Sequence, residues 1–313
     1  MSGSSKMTIF LPTRLADIEE MKAGIINYLQ LTANILTEDD LDANPSLGKG
    51  VKVAFSYFPH QAPSIIERKQ NGLLPDLEMM CNCSAGIDDL PLEAMKNLSL
   101  RLTNTAGAAS DSTADLAFGL LLASARNFKS GFEFAMNPLE FQSDQTVVPG
   151  KPGFDLFNAV IGIVGMGSIG YKVAKRAKGF GMHIHYHSRN RRSVNQENDV
   201  GATYHDNLHS LLKVSDFVVI CCPHSPQTDK MFGREEFKLM KSTAHLINIG
   251  RGAIVNTDEL VDALTSKEIY AAALDVTEPE PLPQDHPLLK MENVIILPHW
   301  GWYTRKAGTY MYM

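Results

Sequence analysis

The chain has 313 residues, 44% of them hydrophobic, and a formal net charge of -6. Such a length fills two cores of ordinary size, and the acidic balance gives no general electrostatic reason to bind nucleic acid or an anionic membrane surface. The opening MSGSSKMTIFLP has neither the basic segment nor the apolar run of a secretory leader, and no stretch reaches the roughly 18 apolar residues of a membrane span, so a cytoplasmic location is expected.

Taken in chain order, the first hundred residues alternate helix-like and strand-like segments. A helix is predicted over 15–30 (LADIEEMKAGIINYLQ), strands over 51–58 (VKVAFSYF) and 77–83 (LEMMCNC), a helix at PLEAMKN and a strand over 98–104 (LSLRLTN). Next, ASDSTADLAFGLLLASARNF opens with small polar residues of capping type and continues as a strongly apolar helix. Its own domain, a partner subunit or both must cover it. The stretch from Met136 to Phe157 is rich in turn formers and reads as an excursion before the next strand.

From Ala159 the rhythm restarts as AVIGIVGMG, a helix, MHIHYHS, a helix at NLHSLLKVS, DFVVICC, a helix near REEFKLMKS, AHLINIG, the helix TDELVDALTSKE, YAAALDV and ENVIILPH. Repeated strand and helix with nearly continuous apolar strands predicts a doubly wound parallel α/β sheet. Cys81, Cys83, Cys221 and Cys222 fall at CxC and CC spacing, which matches neither zinc nor thioredoxin-like patterns, so free thiols are expected. His183, His185 and His187 share one face of a predicted strand, but no carboxylate or cysteine lies nearby in sequence to complete a metal site.

Gly165, Gly167 and Gly170 follow an apolar strand directly and open a helix. A dinucleotide site needs that context: a tight turn, a backbone close enough for pyrophosphate, and a helix N-terminus whose free N–H groups favour an anion. At the end of the second strand, where a carboxylate would accept from the ribose of NAD, the chain reads Ser188-Arg189-Asn190-Arg191-Arg192, and no acid occurs between Asp155 and Glu197. A hydroxyl and guanidiniums there suit a 2′-phosphate, so NADPH is favoured over NADH, with Ser188, Arg189, Asn190 and Arg191 as candidate contacts.

Three later segments carry the expected chemistry. Arg251, between two glycines after HLINI, can fork onto the carboxylate and carbonyl of a 2-oxo acid. His299, at the end of VIILP, is the candidate proton donor. Its ring needs a carboxylate partner to fix the tautomer, with Glu280 and Glu278 as the choices.

These segments resemble the D-isomer-specific 2-hydroxy acid dehydrogenase family, in particular its glyoxylate/hydroxypyruvate reductase branch. The resemblance runs from about Val53 to Thr304 and rests on VGMGSIG, MKSTAHLINIGRGAIVN, LDVTEPEPLPQDHPLL and PHWG. It implies two Rossmann-like domains: a flavodoxin-like substrate domain over 1–106, rejoined by 300–313, and an NAD(P)-binding domain over 107–299. It places the substrate arginine on Arg251, the carboxylate on Glu280 rather than Glu278, and the acid/base histidine on His299. Also implied are substrate contacts from the N–H groups of Ser84, Ala85 and Gly86 in CSAGID, with cofactor contacts at Ser168, Ile169, Pro223, Ile249, Asp275 and Gly301. Asp115 occupies an acidic position on the first long helix, beside Thr113. A homodimer through the cofactor domain is implied, and the apolar helix over 113–124 offers a physical motive for it.

Two departures bear on the expectation. The family places a small residue where this chain has Trp302, with Trp300 beside the histidine; aromatics there narrow a pocket or stack on a bulkier 2-oxo acid. The family also continues into a long helix returning to the substrate domain, whereas this chain ends at Met313. On that reading one C-terminal helix is missing, at a cost of about several kcal/mol of uncovered apolar surface. The C-terminal binding protein corepressors resemble the same pattern, and a nucleotide-sensing interaction protein is the alternative; Arg251, Glu280 and His299 together favour the enzyme.

Overall fold

The computed structural model describes residues 7–11, 33–56, 61–136 and 152–312. The helix expected over 15–30 and most of the excursion before Phe157 lie outside them. The chain divides into two compact units, one of Met1–Ala109 with Thr304–Met313, the other of Ser110–Tyr303. The boundaries expected from sequence were 106/107 and 299/300.

The first unit is built on five parallel strands: β1 (Met7–Leu11), β2 (Ala33–Thr37), β3 (Val53–Ser56), β4 (Met79–Asn82) and β5 (Arg101–Asn104), in the order β2-β1-β3-β4-β5. This is the flavodoxin-like order. Helices α1 (Glu38–Ala43), α2 (Ala62–Gln70) and α3 (Leu92–Asn97) connect them. Thr37 starts α1 with a capping box, its side chain accepting from the Asp40 N–H while the Asp40 carboxylate accepts from the Thr37 backbone. Phe10, Ala54, Met80, Ile65, Leu74 and Leu41 fill the core.

The second unit opens with α4 (Ser110–Ala125) and α5 (Phe128–Met136). Its seven parallel strands are β6 (Val160–Val164), β7 (His183–His187), β8 (Ala202–His205), β9 (Phe217–Ile220), β10 (His245–Asn248), β11 (Ala271–Leu274) and β12 (Val294–Ile296). The order β12-β11-β10-β9-β6-β7-β8 runs outward from β6 in both directions, which puts the topological switch point between the carboxyl ends of β6 and β9. The strands are connected by α6 (Ser168–Gly179), α7 (Val194–Val200), α8 (Leu208–Val214), α9 (Arg234–Leu239), α10 (Thr257–Thr265) and α11 (Pro287–Lys290).

Helix α4 lies against α6, β10 and β11, and Ala114, Ala117, Phe118, Leu120, Leu121 and Ala125 are buried in that core. The helix's own unit therefore supplies most of the cover its sequence demands, so it does not by itself call for a partner subunit. By contrast, α5 buries none of its residues and exposes Phe128, Phe132 and Met136. On the central strand β10, His245 is fully buried between the rings of Phe154, Phe217 and Tyr270, with Nδ1 2.8 Å from Ser124 Oγ. Burial pushes its imidazole down to about 4.

Candidate active site

The glycine loop occupies the switch point of the second unit. Gly165 has φ +95°, and a Cβ there would lie 2.6 Å from the backbone nitrogen of Cys222, just beyond β9. Only glycine satisfies both the left-handed backbone and that close approach. Around Gly167, the N-terminal cap of α6, the space a Cβ would meet is open, whereas at Gly170 a Cβ would collide with the Gly165 carbonyl. A turn, an open approach and a tight helix contact are therefore supplied in sequence. The first N–H groups of α6 have no intrahelical acceptor and carry the positive end of its dipole. These residues fit a dinucleotide pyrophosphate. Ser168 Oγ donates to Ser110 Oγ (2.9 Å), and Ile169 packs on the core beneath. The exposed Pro223 and the buried Ile249 follow β9 and β10, at the carboxyl edge of the same sheet.

Beyond β7, Ser188 is half-buried, while Arg189 and Asn190 are exposed. Arg191 forks onto Glu197, with Nε 2.8 Å from Oε1 and a terminal nitrogen 2.9 Å from Oε2. The first acid after the loop therefore engages one of the three guanidiniums. The neighbouring histidines bond among themselves: His185 Nδ1 lies 2.8 Å from His205 Nε2, and His187 Nδ1 lies 2.9 Å from the His205 carbonyl. Among the described residues, no group of three or more His, Cys, Asp or Glu side chains is placed to hold a metal.

At the carboxyl ends of β10, β11 and β12, loops far apart in sequence are knitted together. Arg251 begins a short 3-10 turn, Gly252–Ile254, and its carbonyl accepts from Asn248 Nδ2 (2.8 Å). A Cβ on Gly252 would lie 1.9 Å from the Thr277 carbonyl, so the arginine loop is pressed directly on the Thr277–Glu280 turn. In that turn Glu280 Oε2 accepts from the Thr277 N–H (3.1 Å), and Oε1 lies 2.8 Å from His299 Nδ1. Glu280, not Glu278, is the carboxylate within hydrogen-bond reach of the imidazole. Burial works against its ionisation, yet the bond and charge of His299, the Thr277 N–H and the charge of Arg251 hold its carboxyl below the ordinary value.

The backbone around His299 is fixed by Asp275. Its carbonyl accepts the His299 N–H (2.8 Å), and its two carboxylate oxygens accept the N–H groups of Trp300 (2.7 Å) and Gly301 (2.9 Å). His299 sits at φ +57°, a conformation unusual for an imidazole residue, and this clamp spans it on both sides. Burial pushes the Asp275 carboxyl up, against the pull of those two donors. The side-chain pair itself stays accessible, His299 being 42% exposed and Glu280 39%. Gly301 leaves no room for a Cβ between Asp275 and Thr113, while Asp115 lies on an exposed face and pairs with Arg176.

In the first unit, the loop after β4 is organised by its carbonyls. Asn82 Nδ2 donates to the Ser84 and Gly86 carbonyls, Ser84 Oγ donates to the Gly86 carbonyl (2.8 Å), and Asn104 Nδ2 donates to the Ala85 carbonyl (2.8 Å). With the carbonyls held this way, the N–H groups of Ser84, Ala85 and Gly86 have no acceptor among the described residues. Such a loop can receive an anion.

Residues 118–301 match the family model for the D-isomer specific 2-hydroxyacid dehydrogenase, NAD binding domain. A glyoxylate reductase of Thermococcus litoralis is 41% identical over 244 residues, covering 74% of this chain and 70% of that one. The chain belongs to the D-isomer-specific 2-hydroxyacid dehydrogenase family. The glyoxylate reductase of Pyrococcus horikoshii is likewise 41% identical, over 72% of this chain and 67% of its own length. Among solved structures, an NADPH-dependent glyoxylate/hydroxypyruvate reductase from Sinorhizobium meliloti, in complex with NADP and malonate, superposes with a TM-score of 0.79 at 25% identity, covering 98% of this chain and 91% of that one. A Thermus thermophilus protein does so at 0.78 and 30% identity, over 98% and 93%. As a family member, the protein is an NAD(P)-dependent oxidoreductase of the D-2-hydroxyacid dehydrogenase class.

Within this dehydrogenase, several supporting residues escaped the sequence reading. Asn82 and Asn104 end adjacent strands, and strand-terminal asparagines beside a small-residue loop are the signal for a carbonyl clamp. Thr277 was not singled out, yet both its N–H and its hydroxyl are engaged, the latter with the Pro279 carbonyl (2.8 Å). Arg192 was visible in the basic run, but its bond from Nε to the Met166 carbonyl of the glycine loop emerges only in three dimensions.

Proposed function

We propose that this dehydrogenase catalyses NADPH-dependent reduction of a small 2-oxo acid of the glyoxylate or hydroxypyruvate type to the D-2-hydroxy acid. The observation that carries the reading is the accessible His299–Glu280 pair, 2.8 Å apart, on a loop against which Arg251's own turn is packed. Arg251 grips the substrate carboxylate and polarises the carbonyl; in the first unit, the N–H groups of Ser84, Ala85 and Gly86 are the candidate donors to a carboxylate. Glu280 holds the proton on His299 Nδ1, which leaves Nε2 to deliver a proton to the alkoxide oxygen. The dinucleotide, when bound, supplies the hydride. The glycine loop and the start of α6 hold its pyrophosphate; Pro223, Ile249, Asp275 and Gly301 border the remainder; the basic run from Ser188 to Arg192 is where the 2′-phosphate is received.

Assembly as a homodimer is part of the proposal, and the exposed Phe128, Phe132 and Met136 of α5 support it. The four thiols are free, in keeping with a reducing, cytoplasmic setting. A second reading of substrate size is favoured by one observation: directly after His299, Trp300 and Tyr303 are 49% and 63% exposed and stack at 6.3 Å, with Trp302 edge-on to Tyr303 at 5.3 Å. Such an aromatic run suits the side chain of an aromatic or branched-chain 2-oxo acid. The test is chiral analysis of the product formed from hydroxypyruvate. D-glycerate is expected; L-glycerate, or no conversion of any 2-oxo acid, contradicts the assignment.

A further inference from the structure

Glu197 closes a network that the proposed chemistry does not use. It lies on α7, with its side chain only 8% exposed. Besides the two bonds from Arg191, its Oε1 accepts from Tyr186 Oη at 2.6 Å. Tyr186 is fully buried on β7, and its oxygen in turn accepts the backbone N–H of Arg192 at 2.9 Å. One carboxylate therefore fixes the Arg191 side chain directly and the Arg192 backbone through a tyrosine. The Arg191 guanidinium also lies over the Tyr204 ring, 5.2 Å from its centre.

Outside this network the loop's other cations are disposed differently. Arg192 reaches the glycine loop through its bond to the Met166 carbonyl, with its guanidinium 5.9 Å over the Tyr171 ring, so it ties the loop after β7 to the pyrophosphate loop. Arg189 is exposed and has no hydrogen bond or ion pair among the described residues. The fork from Arg191, and then the Tyr186 hydroxyl, pull the Glu197 carboxyl down to about 2; burial, and then Glu197, push the Tyr186 hydroxyl up to about 12. Near neutral pH the network keeps one charge state, carboxylate against guanidinium, as a permanent support does.

We infer that Glu197 is a positioning residue for nucleotide selectivity, with Arg191 serving as its partner rather than as a ligand, so that Ser188, Arg189 and Arg192 receive the 2′-phosphate. The inference rests on the NADPH reading of the proposed function. The opposing arrangement has Arg191 leave Glu197 for the phosphate. The two differ in sign: a support that is removed weakens NADPH binding, whereas a competitor that is removed strengthens it.

The test is steady-state kinetics of the full chain with each nucleotide, on wild type, Glu197→Gln, Tyr186→Phe and Arg189→Ala. In Glu197→Gln the KM for NADPH is expected to rise about tenfold, on the scale of a lost charge-assisted bond, while kcat and the KM for NADH hold within about twofold. Tyr186→Phe deletes one hydroxyl and moves NADPH the same way by roughly threefold, which keeps the test alive if the first variant does not fold. A fall or no change in KM for NADPH, or an equal loss with both nucleotides, overturns the positioning role. A wild type that prefers NADH, or a preference unaltered in Arg189→Ala, overturns the underlying nucleotide assignment instead.

Discussion

Two carboxylates of the second unit are paired in opposite ways. Glu280 meets His299 at a rim where both side chains are about two-fifths exposed, and its other oxygen takes a single backbone N–H. Glu197 is buried and satisfied by a guanidinium fork and a phenol. An accessible imidazole partner leaves a ring nitrogen free to trade a proton with a ligand, while a closed network with one charge state can only hold its neighbours. Ion-pair geometry alone does not mark a catalytic group; what the pair leaves open does.

The largest expected break in this comparison is at the open pair. His299→Ala removes the proposed proton donor and should lower kcat for reduction by roughly 10^3-fold while nucleotide binding, measured by fluorescence titration, stays near wild type. Turnover within a few-fold of wild type would remove His299 from the mechanism. Next, Glu280→Gln keeps the ring in place but withdraws the charge, and should cost roughly 30-fold in kcat for reduction. A kcat within a few-fold of wild type would mean that the charge of the carboxylate is not needed.

The closed side gives smaller effects. Arg189→Ala should raise the KM for NADPH by about tenfold and leave NADH unchanged, the loss of one charged phosphate contact. The last effect is on stability, not turnover, and comes from a third group, His245, which takes no part in either pair. Its folded value, about 4, lies below the ordinary histidine value, so the unfolded chain binds more protons between them. Stability is therefore full above about pH 6.5 and falls as the pH drops toward 4, by about 3 kcal/mol in all. Urea midpoints from pH 4.5 to 7.5 should show that slope in wild type and a shallower one in His245→Phe; parallel slopes would sever the link.

Much of this was legible in the chain because the decisive parts are local. The glycine spacing sets a turn, an open approach and a helix contact within six residues, and the near-continuous apolar strands dictate a covered parallel sheet. Arg251 and His299 were legible as candidates because each closely follows a strand end, whereas the choice of Glu280 over Glu278 came from the family resemblance. Short polar β8 and the helix α7 ahead of it were not seen, because an edge strand reading ATYH carries little apolar pattern. The long apolar α4 was read as needing cover from its own domain, a partner or both; its cover comes mostly from α6, β10 and β11, and sequence does not tell which surface answers an apolar helix. The basic run after β7 announced its charge but not its division of labour, because the acid that engages Arg191 lies six residues on and acts through a folded turn of helix.

The most direct measurement is the initial rate of NADPH and of NADH oxidation by the purified chain, with glyoxylate, hydroxypyruvate, phenylpyruvate and 2-oxoisocaproate offered in parallel. The account predicts turnover with NADPH well above that with NADH, fastest with one of the two small acids. Binding of NADPH without turnover of any of the four acids would contradict it.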